Sequence, residues 1–273
     1  MPSQTEKGKR FRALHQRDHA FIIPNPWDVG SAHLLAGLGF EALASTSAGF
    51  AFSVGQRDNT VGRERMLVHA AELVAATDLP VSADLENGFA DAPAEVARTV
   101  TLAAAAGLVG CSIEDSTGRA DAPLYPLGAA VERIRAAAEA ARALPFEFTL
   151  TARAENFLVG RPDLKDTIAR LQAYQEAGAD VLYAPGLASE ADIAAVLGAV
   201  DRPVNVLAGS PALRLDLAAL SRLGVKRVSV GSGLARAAYG AMLLASREMH
   251  ESGSFAALQQ AIPFKDLSAL FKP

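Results

Sequence analysis

Short apolar runs alternate along this chain with longer, alanine-rich stretches whose apolar residues recur every three or four positions. The first kind predicts buried strands and the second amphipathic helices. Strands are expected at residues 20–24, 42–45, 81–84, 110–114, 147–152, 181–184, 204–208 and 227–230. Helices are expected between them, at 63–77, 94–106, 129–142, 164–177, 191–199 and 213–223 among others. Several helices run into a glycine, at Leu38-Gly39, Ala106-Gly107, Ala177-Gly178 and Leu223-Gly224. That is the signature of a left-handed C-terminal cap.

Alternating strands and helices imply a parallel sheet with helical crossovers. Eight such units fit a (β/α)8 TIM barrel, an α/β fold, and a doubly wound open sheet is the competing arrangement. No Pro- or Ser-rich linker divides the chain, so residues 1–273 are expected to form a single barrel domain. Residues 252–273 lie beyond the eighth unit and form a C-terminal helical extension after a Ser-Gly-Ser hinge. Its helix either packs on its own barrel or is swapped onto a neighbouring subunit.

Composition narrows the partners. The chain is 50% hydrophobic and 21% charged, as expected of a globular protein with a substantial core. A net charge of −4 leaves no basic excess for a polyanion, so no nucleic acid is expected. The basic run Lys7-Gly8-Lys9-Arg10-Phe11-Arg12 reads as the solvated face of a first helix. The single cysteine, Cys111, excludes internal disulfides, fits a reducing cytoplasm, and lies inside an apolar strand as a core residue. The N-terminus is too polar for a secretory signal, and no apolar run is long enough to span a bilayer.

The chemistry gathers where strands end, as it does in barrels of this kind. Val81-Ser82-Ala83-Asp84-Leu85-Glu86-Asn87-Gly88 places two carboxylates two positions apart. If the strand continued, they would share a face about 7 Å apart. Like charges so placed call for a cation or a proton, which makes Asp84 and Glu86 a candidate divalent-metal site. Glu114 and Asp115 end the next strand and Arg153 the one after. Acidic groups beside an arginine suit a hard cation held together with a carboxylate substrate, which Arg153 would grip through its planar fork. Equally, Glu114 and Asp115 could cap a helix and Arg153 could pair with Glu114 or Glu155. Ser45-Thr46-Ser47-Ala48-Gly49 could offer backbone N–H groups to an anion. Gly231-Ser232-Gly233 reads either as a phosphate cradle or as a plain helix start. None of the five histidines falls at a strand end, and neither a Gly-x-Ser-x-Gly elbow nor a well-placed lysine is present. These absences favour metal-assisted over covalent chemistry.

In order and spacing, several motifs together resemble the isocitrate lyase/phosphoenolpyruvate mutase superfamily. They are Asn25-Pro26-Trp27-Asp28, the Ser45–Gly49 loop, Gly55-Gln56-Arg57-Asp58, Asp84-x-Glu86-x-Gly88, Ile113-Glu114-Asp115, Ala152-Arg153-Ala154-Glu155 and the run 174–180. The resemblance implies a barrel that binds Mg2+ (Mn2+ as an alternative) and stabilises a metal-bound pyruvate enolate. It implies Asp84 as the direct ligand, with Glu86, Glu114 and Asp58 placing metal-bound waters. Ser45, Thr46 and Ser47 would bind the substrate carboxylate and oxo oxygen, opposite Arg153. It also implies a homodimer or homotetramer, often with the last barrel helix exchanged.

Two departures refine the expectation. The lyase branches carry a cysteine acid on the loop after the fourth strand, whereas here that segment is Ser116-Thr117-Gly118-Arg119-Ala120-Asp121-Ala122-Pro123-Leu124. The lysine- and asparagine-bearing loop of the phosphonate branches is absent as well. Glu86 stands where most relatives have Asp, and its extra methylene shifts the carboxylate by about 1 Å. The expected function is thus a magnesium-dependent lyase of a small 2-oxo or 2-hydroxy dicarboxylate, in the manner of an oxaloacetate decarboxylase. A phosphonopyruvate-type C–P mutase or hydrolase, or a barrel that binds a carboxylate without turnover, are the alternatives.

Overall fold

The protein is described here by a computed structural model covering residues 2–271. Eight strands form one sheet: β1 (Phe21–Ile23), β2 (Leu43–Ala44), β3 (Val81–Asp84), β4 (Gly110–Glu114), β5 (Thr149–Arg153), β6 (Val181–Tyr183), β7 (Val204–Leu207) and β8 (Arg227–Ser229). Every paired neighbour is parallel, in the order β1-β8-β7-β6-β5-β4-β3-β2. The ends of this ladder meet beyond the strands. Ala44 N–H donates to the Pro24 carbonyl at 3.1 Å. Asn25 donates from Nδ2 to the Ser45 carbonyl at 3.1 Å, and its Oδ1 accepts Val230 N–H and Gly231 N–H at 2.9 Å each. One buried amide thus ties the ends of β1, β2 and β8 and closes a (β/α)8 barrel. This gives the Asn-Pro-Trp-Asp motif a structural reason.

The outer ring is α2 (Val29–Gly37), α4 (Arg63–Ala75), α5 (Pro93–Ala105), α6 (Leu127–Arg142), α7 (Leu164–Glu176), α8 (Glu190–Ala199), α9 (Leu217–Leu223) and α10 (Gly233–Ser252). All four glycines read as helix stops adopt positive φ, between 88° and 105°. L-residues avoid that region, so the pattern marks these ends from sequence alone. Before the barrel, α1 (Gln4–His15) starts at a Ser3–Glu6 capping box. It lies beneath the barrel, burying Phe11 with Phe21, Ile23 and Val109. The basic run is therefore not wholly a solvated face. Lys9, Arg10 and Arg12 are exposed, but Lys7 is buried and its Nζ donates to the Thr77 carbonyl at 2.8 Å. Cys111 is fully buried in β4, as its apolar setting predicts.

Three differences from the sequence pattern bear on the site. The segment read as a small-residue loop after β2 contains a short helix, α3 (Ser47–Ser53), begun by Thr46, whose Oγ1 accepts Gly49 N–H at 3.2 Å. α9 starts at Leu217, later than its apolar pattern suggests, because Asp216 caps it and accepts Ala219 N–H at 2.8 Å. β3 stops at Asp84, and Glu86 turns into the left-handed region with φ 49°.

Past α10 the chain makes a short 3-10 turn and α11 (Phe264–Leu270). The end of this tail touches its own barrel at α2, where the His33 and Phe271 rings lie 6.4 Å apart edge to face. Residues 272–273 of the expected extension lie outside the described residues.

Candidate active site

A cavity of about 350 Å³ opens at the C-terminal ends of the strands. Its acidic wall is built by register. Parallel pairing sets Asp84 beside Ser112, and Glu114 beside Arg153, which in turn pairs with Tyr183. These side chains therefore converge at the top of β3–β6. Arg153 is the hub. Nη1 lies 2.9 Å from Asp84 Oδ1, Nη2 lies 2.9 Å from Glu155 Oε1 and 3.3 Å from Glu114 Oε2, and Nε also donates to Glu155 at 2.9 Å. Both sequence readings of Arg153 were open, and the structure shows it as an ion-pair partner of three carboxylates.

The Ser-Thr-Ser segment supports Asp84 directly. Ser45 Oγ accepts Asp84 N–H at 3.0 Å, and Ser47 donates to Asp84 Oδ2 from Oγ at 2.8 Å and from N–H at 3.3 Å. Ser112 Oγ adds a longer contact to Oδ1 at 3.4 Å. Ser45, Thr46 and Ser47 all line the cavity, yet the two serine hydroxyls are turned to Asp84 and the Thr46 hydroxyl to the helix start. What this segment can still offer an anion is backbone. The Thr46 and Ala48 N–H groups at the start of α3 have no intrahelical acceptor.

Electrostatics at the wall are strained in one direction. Burial raises the pKa of Glu86 to about 8, reinforced by Asp84 and Asp58 and opposed by Arg153. Burial likewise raises Glu155 to about 7, against the pull of Arg153. Glu114 is pushed well up by burial, with Glu155, Asp84 and Glu86 adding to it. Asp58 sits on the rim, raised by desolvation and by Asp84 while the Ser47 hydroxyl and Asn59 N–H pull it down. Burial opposes the charge on Arg153, but Glu155, Glu114 and Asp84 more than restore it. Three carboxylates therefore share the Arg153 guanidinium, and Glu86 and Asp58 feel its charge without pairing to it.

Glu86 does not share a face with Asp84, because the strand on which that geometry depends has already ended. It faces a second, more open cavity bounded by Asn59, Asn87, Phe89 and Thr117, which meets the main one at Asn59. Its Oε1 is buried without a hydrogen-bond partner. Among the described residues, the three non-glycine positions with positive φ, Asn59, Glu86 and Phe89, all line this side cavity. Such strain persists only where surrounding contacts impose it. At Glu86 one such contact is Glu114 N–H, which donates to the Glu86 carbonyl at 2.9 Å.

The donor set fits a hard divalent cation. It is all oxygen and carries surplus negative charge, and the orphaned Glu86 oxygen lies in the adjoining side cavity. Among the described residues no three His, Cys, Asp or Glu side chains form a ready-made metal cage. The fit is thus to a cation with one or two protein ligands and several waters, as magnesium prefers. Among the described residues no histidine, cysteine or lysine lines the main cavity. Gly231 and Ser232 line it too, with Ser232 at the start of α10 but no side-chain cap bond.

The sequence reading missed the other side of the cavity. Tyr183 of β6, Asn205 of β7, and Arg227 and Ser229 of β8 line it together with Asn25. The available signal was a charged or polar residue within each otherwise apolar strand, at inward-facing positions two apart in β8.

Fold and cavity together define a (β/α)8-barrel enzyme with an acidic site at the strand ends. The chain belongs to the phosphoenolpyruvate phosphomutase family, which matches it over residues 11–250, and so to the superfamily its motifs resemble. It is an enzyme of that lyase and mutase superfamily. It is similar to an uncharacterised protein of Mycobacterium tuberculosis (32% identical, covering 95% of each chain). It is also similar to the oxaloacetate decarboxylase of Chromohalobacter salexigens (31% identical, covering 84% of this chain and 80% of that one). Among solved structures it resembles a candidate lyase/mutase of Burkholderia cenocepacia J2315. That match has a TM-score of 0.96 at 62% identity and covers 99% of this chain and 97% of the other. Among the described residues no helix is long and apolar enough to cross a membrane.

Proposed function

We propose that this enzyme is a magnesium-dependent carbon–carbon lyase that decarboxylates a small 2-oxo dicarboxylate of the oxaloacetate type by way of a pyruvate enolate. The observation that carries this reading is the Asp84–Arg153–Glu114–Glu155 cluster, an oxygen-only site with surplus negative charge at the mouth of the barrel. The similarity to oxaloacetate decarboxylases supports the reaction type.

Asp84 would hold the cation, with Glu86, Glu114 and Asp58 orienting its waters. Magnesium bound there would supply Lewis-acid stabilisation of negative charge on the 2-oxo oxygen. The chain does the rest. Ser45 holds the Asp84 backbone N–H and Ser47 its carboxylate, so that the carboxylate need not reorganise. The N–H groups at the start of α3 meet the substrate's C1 carboxylate. Arg153, held charged by its three partners, balances negative charge beside the reacting carbons. Leu158, Val159 and Leu207 line the cavity and limit water around the enolate. A reaction that releases CO2 and then takes up a proton needs no leaving-group acid, consistent with a loop 116–124 that lacks cysteine.

Pyruvate release measured from oxaloacetate, phosphonopyruvate and alkylmalates in the presence of magnesium tests this reading. Oxaloacetate should be the preferred substrate, chelation should abolish turnover, and Asp84→Ala should lower kcat/KM by about 1000-fold. No pyruvate above the metal's own background, or full activity in Asp84→Ala, would sink it. We also propose that the enzyme works in the cytoplasm as a homodimer or homotetramer.

A further inference from the structure

Two cations line the main cavity among the described residues, and they are placed very differently. Arg153 has every guanidinium nitrogen engaged by a carboxylate. Arg227, on β8 across the barrel, has no carboxylate partner among the described residues, although it is only 5% exposed. Its Nε donates to Asn205 Oδ1 at 2.9 Å, and its Nη2 donates to Thr151 Oγ1 at 3.0 Å. Its Nη1 lies 3.4 Å from His15 Nε2. The His15 Nδ1 is 2.9 Å from the Phe11 carbonyl, so the ring proton belongs there and Nε2 is left as acceptor. Three neutral groups thus aim the guanidinium and none neutralises it. A guanidinium has five N–H donors, so two remain for another partner.

The floor beneath is shut. Phe11, His15 and Phe21 pack edge to face, with ring centroids 4.9, 6.5 and 5.0 Å apart, and seal the barrel below Arg227. The remaining opening is the cavity. Asn205, which holds Nε, also donates to Ser229 Oγ at 2.9 Å, so the fork is set by a chain of hydrogen bonds across β7 and β8. A buried cation without a counter-ion is costly, and the cost is relieved when an anion arrives with matching geometry.

We infer that Arg227 is the charge-selecting residue of this cavity: it takes the second acidic group of the substrate, a carboxylate or a phosphonate, while the 2-oxo acid end is held on the Asp84 side. This rests on reading the cavity as a 2-oxo diacid site, and it assigns the residue that meets the distal acid. Burial and the charge of Arg153 lower the Arg227 pKa to about 10, against the opposing pull of the Tyr183 phenol, in keeping with a cation that lacks its anion.

The test uses ligands that do not decarboxylate and differ in whether they carry a distal acidic group, and which one. L-Malate and L-lactate share a 2-hydroxy acid end, and 3-phosphonolactate replaces the distal carboxylate with a phosphonate. In calorimetric titrations with magnesium, the wild-type enzyme should bind malate or phosphonolactate, or both, on the order of 10- to 100-fold more tightly than lactate. The preferred member of the pair identifies the anion. Arg227→Gln should bring that ratio near one and leave lactate binding unchanged. Arg227→Lys, which keeps charge without the fork, should retain an intermediate ratio.

A folded Arg227→Gln enzyme with the wild-type ratio would overturn the inference. So would a wild-type enzyme that binds all three ligands alike, a result that stands even if Arg227→Gln does not fold. Malate preference without pyruvate release from oxaloacetate would sink the decarboxylase reading alone. Oxaloacetate turnover without charge preference would sink the Arg227 assignment alone.

Discussion

Two histidines are kept neutral by where they sit. His15, between Phe11 and Phe21 and facing Arg227, has its pKa lowered to about 3 by burial first and by the arginine second. His69 stacks on Phe50 with ring centroids 3.8 Å apart, and burial lowers it to about 4, with Asp28 opposing. Unfolded, each binds a proton near pH 6.5; folded, each resists until far lower. Between those values the unfolded chain binds more protons at these two rings, so their contribution to stability is full above about pH 6.5 and falls as pH drops toward 4. At pH 5 the loss is about 2 kcal/mol for each histidine. Raised carboxylates such as Glu86 and Glu155 gain stability over the same range, so the test is a difference: between pH 7 and pH 5 the urea-derived stability of His69→Gln should rise by about 2 kcal/mol relative to that of the wild type. An unchanged difference would mean that His69 titrates normally in the folded protein. At this scale the sequence showed Asp84, Glu114 and Arg153, because polar residues ending apolar strands stand out. It did not show that Glu86 leaves the strand, since a positive φ at a non-glycine is imposed by neighbours such as Glu114. Nor did it show Arg227, whose role depends on which side chains fail to reach it.

Elements were more legible than side chains, because periodicity and glycine stops are local signals while register is not. Gly88 joins the two scales. It has φ 77°, and a Cβ there would lie 2.9 Å from Val96 Cγ1 on α5. Gly62, just before α4, has φ 84° but nothing within 4 Å of a built Cβ. Gly62→Ala should therefore cost about 1 kcal/mol from backbone strain alone. Gly88→Ala should cost about 2–4 kcal/mol, because overpacking against Val96 adds to the strain. It should also lower turnover, since it displaces the loop that carries Glu86. Chemical denaturation of both variants separates the two contributions, and equal losses would show that the Val96 contact yields freely. The short α3 is the counter-example for legibility. Its Ser-Ala-Gly-Phe composition reads as loop, and only the Thr46 cap and the anchoring of Ser47 on Asp84 make it helical.

For the whole molecule, α10 is the element that the barrel leaves uncovered. Of its residues Gly233–Ser252, only Ala235 and Ala245 are buried. Met242, Leu243 and Leu244 are exposed along it, and Phe255, Leu258, Ile262 and Phe264 continue the apolar surface into the tail, with Phe264 at 88% exposure. Apolar surface of this extent is rare on a monomer and would suit a contact between chains. The proposed homodimer or homotetramer would use this face, with the helix either lying against a neighbour or exchanged with it. A closed symmetric assembly lets one such patch bury itself against its own copy. Light scattering on the eluting enzyme should then give two or four times the 28.5 kDa chain mass. Leu244→Asp combined with Phe264→Asp should shift it to a smaller species, because two buried carboxylates without partners cost more than the interface regains. These residues lie outside the cavity, so a loss of turnover in the smaller species would show that assembly is needed to hold the strand-end loops in place. A wild-type enzyme that elutes at the single-chain mass at micromolar concentration would refute the assembly and leave the exposed face of α10 without a partner of its own kind.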